Sequence, residues 1–298
     1  MRSDCHVHVR GDEKSEDILR EMDRAGLDLV CIISSAPQSQ VLEMPAKKRV
    51  SDLEDMKMMG RMVEADRERI KGFWWLDPTV PDAADLVERA VADYGCSGIK
   101  MIPNHWHVYE ERFFPAYERI EKMNVPILFH TGILWGNNDC SRFCHPADLE
   151  ILERFPKLRF SMAHIGWPWT DEGIAVADRF KTMARLKDGR DPEIMKDVVR
   201  RNVNVHEARY EVPIRCFGDL TPGTPAAYRR EQLQLCYEVL GADALVYGTD
   251  GSSADRNLAE REKFHRERDE RIFRELGVLE ADIERIMGSN VLKWLGKK

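Results

Sequence analysis

Nowhere does the 298-residue chain approach the ~20 consecutive apolar residues of a membrane helix, which excludes a helical membrane span. Its start also lacks the apolar segment of a secretory signal, so the expectation is a cytoplasmic protein. Basic charge is not in excess: 45 Lys and Arg face 52 Asp and Glu, a net charge of −7. Runs such as "EADRERIK" and "EREKFHRERDERIFRE" interleave the two signs and read as solvated helix faces, leaving no electrostatic footprint for nucleic acid. The seven cysteines are odd in number and show no CxxC spacing, so they suit reduced thiols rather than a disulfide framework, Cys140 and Cys144 included. No GxGxxG loop and no P-loop follows an apolar run, and the phosphate-binding signature of doubly wound sheets is missing.

What is present is a regular alternation of short apolar runs with amphipathic segments. The runs are "DCHVHV" (4–9), "LDLVCIIS" (27–34), "IKGFWWLDP" (70–78), "CSGIKMI" (96–102), "VPILFHTG" (125–132), "LRFSMAHIG" (158–166), "NVNVHEA" (202–208) and "ALVYGTD" (244–250). Between them the pattern predicts helices over about 16–25, 51–69, 83–94, 111–124, 146–156, 171–200 and 226–240. Eight strands alternating with helices predict an α/β fold, a (β/α)8 TIM barrel formed as a single domain over 1–298. A 43% apolar fraction over this length is enough for one large core.

In such a barrel the chemistry gathers where strands end. His6 and His8 leave the first run, Lys100 the fourth, His130 the fifth, His164 the sixth, His206 and Glu207 the seventh and Asp250 the eighth. Strict alternation puts Asp4, His6, His8 and Arg10 on one face and Cys5, Val7 and Val9 on the other. An HxH pair alone is weak evidence, but polar groups at most strand exits would be costly to bury without partners. Neutral imidazoles and a carboxylate suit a divalent cation, and three or four of them plus a water make an open, catalytic site.

The pattern resembles the amidohydrolase superfamily, and more closely its amidohydrolase-related branch, which includes the aminocarboxymuconate-semialdehyde and resorcylate decarboxylases. The resemblance runs from "DCHVHV" through "GIKMIP", "VPILFHTG", "FPKLRFSMAHIGWPW" and "VYGTDG" to "IERIMGSNVLKWLG". It implies His6, His8, His130 and Asp250 as ligands of one metal, zinc with manganese as the alternative. It further implies His164 as acid/base or as an additional metal ligand, with Asp250 able to take a proton as well. Lys100 stands where some relatives carry a metal-bridging carboxylated lysine, and in the single-metal branch a lysine here contacts an anionic substrate. Two features depart from the pattern: His6 stands where some decarboxylases have glutamate, and "GTDG" lacks the serine and proline that flank the aspartate in many relatives.

The main functional expectation is a metal-dependent hydrolase of a small carboxylated ester, lactone or amide. The alternative is a non-oxidative decarboxylase or hydratase of an aromatic or dienoic acid at the same metal site, and a third class is a metal-binding barrel without catalysis. Arg10, Lys100, Trp106, Trp135, Arg142 and His206 are the candidate substrate contacts, and Trp106 and Trp135 have packing at the barrel mouth as their bland reading. The expected partner is an anionic small molecule, with neither nucleic acid nor membrane. The charged inserts at 171–200 and 251–270 are read as lids or as a contact in a homodimer.

Overall fold

A computed structural model describes residues 1–11, 13–39, 50–135, 139–187, 213–252 and 257–297. In chain order the first half comprises β1 (Ser3–His8), α1 (Ser15–Ala25), β2 (Leu29–Ile33), α2 (Asp52–Ala65), β3 (Ile70–Trp75), α3 (Ala83–Ala92), β4 (Gly98–Met101), α4 (Phe114–Met123) and β5 (Ile127–His130). The second half comprises β6 (Phe160–Ala163), α5 (Thr170–Lys187), β7 (Cys216–Asp219), α6 (Ala226–Leu240), β8 (Leu245–Val246), β9 (Gly251–Ser252), α7 (Leu258–Glu275), α8 (Glu280–Glu284) and α9 (Asn290–Trp294).

All neighbouring strands pair in parallel, in the order β8-β7-β6-β5-β4-β3-β2-β1-β9. The two ends of that order are one stretch of chain. β8 pairs with β7, β9 pairs with β1, and Cys5 N–H donates to the Tyr247 carbonyl between them at 2.9 Å. The eighth strand is therefore split by a bend at 247–250, and the sheet closes on itself as the predicted α/β barrel. Among the described residues no second sheet is present. No described helix is long and apolar enough to cross a membrane.

Side chains sort by strand parity. Val30, Ile32, Ile70, Trp74, Ile99, Met101, Ile127, Phe129, Phe160 and Met162 pack outward against the helices. Leu29, Cys31, Ile33, Phe73, Trp75, Leu128, Ala163, Phe217 and Val246 fill the interior, where Trp294 of α9 stacks on Phe73 at 4.9 Å between ring centroids.

β1 breaks strict alternation. Its register against β2 runs Ser3 to Leu29 and Asp4 to Val30, then Val7 to Ile32, so one extra residue is inserted between Asp4 and Val7. Cys5 consequently joins the interior while Val7 and Val9 face the helices, contrary to the two-face expectation that grouped these three. Such bulges re-aim side chains beside active sites.

The helices follow their sequence signals. α2 opens on a capping box, with Ser51 and Glu54 each accepting from the other's backbone N–H. The segment predicted as a helix over 146–156 is instead a 3-10 helix, Pro146–Arg154. Its buried residues Pro146, Leu149 and Leu152 recur every three positions, the period of that coil. The expected seventh strand "NVNVHEA" lies outside the described residues. The seventh position in the sheet is held by Cys216–Asp219, a run too short to stand out in the sequence.

Candidate functional site

The carboxyl ends of the strands surround a cavity of about 270 Å³. Its polar lining is His6, His8, Lys100, His130, His164 and Asp250; its apolar lining is Ile102, Ile133, Leu134, Trp135, Trp167 and Pro222, with Gly223 between. One side is thus ionisable and the other greasy.

His6, His8 and Asp250 offer three ligand atoms that all lie within 4.8 Å of one another. His6 Nε2 is 3.2 Å from His8 Nε2, and each of these nitrogens is 3.4 Å from Asp250 Oδ1. Donors about 2.1 Å from a shared ion lie roughly 3.0–3.4 Å apart at octahedral to tetrahedral angles, which matches these spacings. Two imidazoles and a carboxylate suit a divalent transition cation, so the residues present fit one.

The bulge in β1 carries both histidines to this point, and the backbone around them is tied to the split strand. Asp4 accepts from the His6 and Thr249 N–H groups through Oδ1, both at 3.0 Å, and from the Thr249 hydroxyl through Oδ2 at 2.6 Å. Burial raises the Asp4 carboxyl to about 7, against those three bonds. Gly248 packs on His6 so closely that a β-carbon would fall 2.9 Å from His6 Cβ. Asp250 has φ +51, a left-handed conformation that aspartate tolerates better than most residues, and this turns its carboxylate back over β1.

His164 follows β6 and also has a positive φ, +60, as does Ile165 at +45. Non-glycine residues there store strain of about 1–3 kcal/mol each, and the surroundings must hold them. They do so through three contacts. Thr221 Oγ1 accepts the His164 backbone N–H at 3.1 Å and lies 3.1 Å from its Nδ1; Gln232 of α6 donates to the His164 carbonyl at 3.0 Å; Gly223 packs on the ring. Gln232 is itself held by Arg229, whose guanidinium pairs with buried Asp269 of α7 at 2.5 Å.

The charge states follow from burial and neighbours. Burial, helped by Lys100, drives the His6 imidazole well below its usual range, and burial does the same to His130, helped by His164. Burial also lowers His164, opposed by Asp250 and Asp219. Burial alone would raise Asp250, but the hydrogen bond from His8 and the nearby His6 and His164 rings hold it well below the ordinary carboxylate range. Lys100 is fully buried, its Nζ has no hydrogen-bond partner, and burial pushes it down to about 8 despite Asp250 and Asp219.

The other sequence-predicted residues divide. His130 lines the cavity 5.0 Å from the His164 ring but stands outside the three-donor group, with Nε2 donating to the Ile133 carbonyl at 3.3 Å. Trp135 lines the cavity and is 69% exposed. Trp106, Arg142 and Arg10 do not line it. Trp106 is buried among helices edge-on to Phe113, the packing role. Arg142 is turned to solvent, paired with Asp139 at 3.1 Å and lying over Phe143. Arg10 is exposed, and its backbone N–H donates to Glu13. His206 and Glu207 lie outside the described residues.

One buried carboxylate was missed. Asp219 ends β7, and its Oδ2 is 2.8 Å from His6 Nδ1. The signal was a polar residue at the exit of an apolar run, here the four residues "CFGD".

The sequence profile of the amidohydrolase family matches residues 3–297. The chain belongs to that family. Comparison with curated proteins gives no match. Among solved structures, this amidohydrolase is similar to the 5-carboxyvanillate decarboxylase of Sphingomonas paucimobilis, with TM-score 0.65 at 15% identity, covering 100% of this chain and 99% of that one. It is similar to the 2,6-dihydroxybenzoate decarboxylase of Rhizobium, with TM-score 0.60 at 15% identity over 99% and 98%. A dihydroxybenzoic acid decarboxylase of Polaromonas sp. JS666, described with bound manganese and the inhibitor 2-nitroresorcinol, gives TM-score 0.62 at 16% identity over 99% and 96%. At these identities the likeness speaks for the fold.

Proposed function

We propose that this amidohydrolase is a metal-dependent, non-oxidative decarboxylase of a small aromatic carboxylic acid. The observation that carries the reading is the two-sided cavity: a three-donor cluster and a buried, unpartnered ammonium face an apolar wall across about 270 Å³. A cavity of about 150 Å³ in a protein interior takes up a benzene ring, so this one has room for a substituted ring. The structural neighbours named above are decarboxylases of such acids, which supports this choice over hydrolysis.

His6, His8 and Asp250 would hold the cation, and His130, whose Nε2 donates to the Ile133 carbonyl, would join them only by giving up that bond. A bound divalent cation supplies Lewis-acid polarisation of an anionic substrate. The neighbours described with manganese favour that ion over the zinc expected from the ligand types.

The Lys100 ammonium gives the substrate carboxylate a buried counter-charge, which sets which end of the ring enters first. Ile102, Ile133, Leu134, Trp167 and Pro222 clasp the ring and exclude water from the reacting carbon. When the bond from ring carbon to carboxyl carbon breaks, its electron pair stays on the ring and carbon dioxide leaves. His164 Nε2 takes up a proton from solvent and delivers it to the ring carbon. Its lowered affinity for protons makes its protonated form a strong acid, and Thr221 and Gly223 hold the ring still.

The test is to load the purified protein with Mn2+ and incubate it with dihydroxybenzoates, 5-carboxyvanillate and a panel of lactones and esters, following carbon dioxide release and ester cleavage separately. Manganese-dependent carbon dioxide release supports the proposal. Cleavage of a lactone or ester with no decarboxylation would move the activity to the hydrolase reading, which uses the same donors.

A further inference from the structure

We infer that Asp219 is a positioning residue that sets the tautomer of two imidazoles, His6 directly and His164 through Thr221, so that both keep the Nε2 lone pair free. The consequence for metal binding rests on the proposed function; the tautomers do not.

Asp219 is fully buried at the end of β7. Two donors meet its carboxylate, His6 Nδ1 on Oδ2 at 2.8 Å and the Thr221 backbone N–H on Oδ1 at 2.9 Å, and the Thr221 hydroxyl lies near enough to lower its proton affinity. An ionised carboxylate only accepts, so the bond to His6 requires a proton on Nδ1. A neutral imidazole has one such proton, which leaves Nε2 bare. Nε2 is the atom 3.2 Å from His8 and 3.4 Å from Asp250.

The second ring follows from counting protons on one oxygen. The Thr221 hydroxyl has two lone pairs and a single hydrogen, which is assigned to Asp219 because an ionised carboxylate is a stronger acceptor than a neutral imidazole. One lone pair takes the His164 backbone N–H at 3.1 Å. The other faces His164 Nδ1, also at 3.1 Å, and must receive a proton from it. His164 is then protonated on Nδ1, with Nε2 as the nitrogen left for proton exchange with a substrate. One carboxylate thereby orients a metal-ligand candidate and a proton carrier in the same sense. Second partners of this kind, when changed, cost roughly 10–100-fold in metal affinity or activity.

An amide in place of Asp219 reverses the logic, because an NH2 group facing His6 Nδ1 requires a lone pair there and moves the proton to Nε2. The experiment is long-range proton–nitrogen correlation of the metal-free protein with 15N-labelled histidine, on wild type, Asp219→Asn and Thr221→Val, with Mn2+ affinity measured by calorimetric titration. Wild type is expected to show His6 and His164 protonated at Nδ1. Asp219→Asn is expected to switch His6 to the other tautomer and weaken Mn2+ binding roughly 10–100-fold with an unchanged circular dichroism spectrum. Thr221→Val is expected to alter the His164 pattern alone and leave Mn2+ affinity within about twofold, since its bond partner is not one of the three clustered donors.

A wild-type pattern with Nε2 protonated on either ring, or an Asp219→Asn protein with unchanged tautomers, overturns the inference. If Asp219→Asn does not fold, the wild-type spectrum and Thr221→Val decide it. Correct tautomers in a wild type that binds no Mn2+ would sink the proposed function and leave this inference standing.

Discussion

Gly223 lies against the imidazole of His164 so tightly that a β-carbon on it would fall 2.7 Å from both Cβ and Cγ of the histidine. Thr221 Oγ1 holds the ring's Nδ1 at 3.1 Å as well, so the side chain has little freedom left. Gly223→Ala is expected to displace the ring and lower kcat by roughly 10–100-fold, the scale of a misplaced catalytic group. Mn2+ affinity should stay within about threefold, because the three clustered donors are not touched. Steady-state kinetics beside a metal titration reads both; loss of metal with unchanged kcat would contradict this.

Removing a donor and removing the proton carrier should separate. His6→Ala is expected to drop bound metal from about one per chain to near zero and abolish turnover, since it leaves only two of the three clustered donors. His164→Gln is expected to retain metal and lose roughly 10²–10⁴-fold in kcat. Elemental analysis with a single-turnover assay distinguishes them, and full activity in metal-free His6→Ala would defeat the proposed function.

Lys100 is held against its own stability. Its ammonium is buried without a hydrogen-bond partner, and the displacement of its pKa to about 8 corresponds to about 3 kcal/mol of cost at neutral pH. Lys100→Met is expected to raise the melting temperature at pH 7 by several degrees, while KM for an aromatic acid rises at least ~10-fold. The advantage of the variant should shrink as pH rises from about 8 to 10.5, where the folded chain has released this proton and the unfolded chain has not. A lower melting temperature in the variant would show that the ammonium stabilises the fold.

Asp55 gives a pH signature far from the cavity. It sits on α2 with Oδ1 accepting the Ser35 N–H at 3.3 Å, and burial raises it to about 6 against bonds from Ser34 and Ser35. A raised carboxylate costs nothing where both states are protonated and carries its full cost where both are ionised. The wild type should therefore lose about 2 kcal/mol relative to Asp55→Asn as pH rises from about 4 to 6. Urea unfolding of both proteins at the two pH values reads the difference; a gap that widens in the opposite direction would refute it.

The alternation of apolar runs with amphipathic segments made seven strands legible, because parallel strands buried on both faces leave unbroken apolar stretches. His6, His8, His164, Lys100 and Asp250 were legible for a related reason: each is a polar residue where such a stretch stops. Asp219 obeys the same rule but ends only four residues, below what periodicity resolves. The bulge in β1 was invisible because an inserted residue leaves the composition of a run unchanged and alters only its partner's register. Trp106 and Arg142 stand away from the cavity lining for one reason. Proximity to a strand end in sequence says nothing of direction, and Trp106 turns into the helix layer while Arg142 turns to solvent.

The carboxylate of Asp250 stands in the break between β8 and β9, the same few residues through which the two ends of the sheet meet. The last joint made in wrapping the sheet is thus the joint that brings Asp250 to His6 and His8, about 240 positions away along the chain. Contacts of such separation form late, after shorter loops have closed. On the proposed function, tight metal capture would therefore wait until this joint has closed and would report that the sheet is complete.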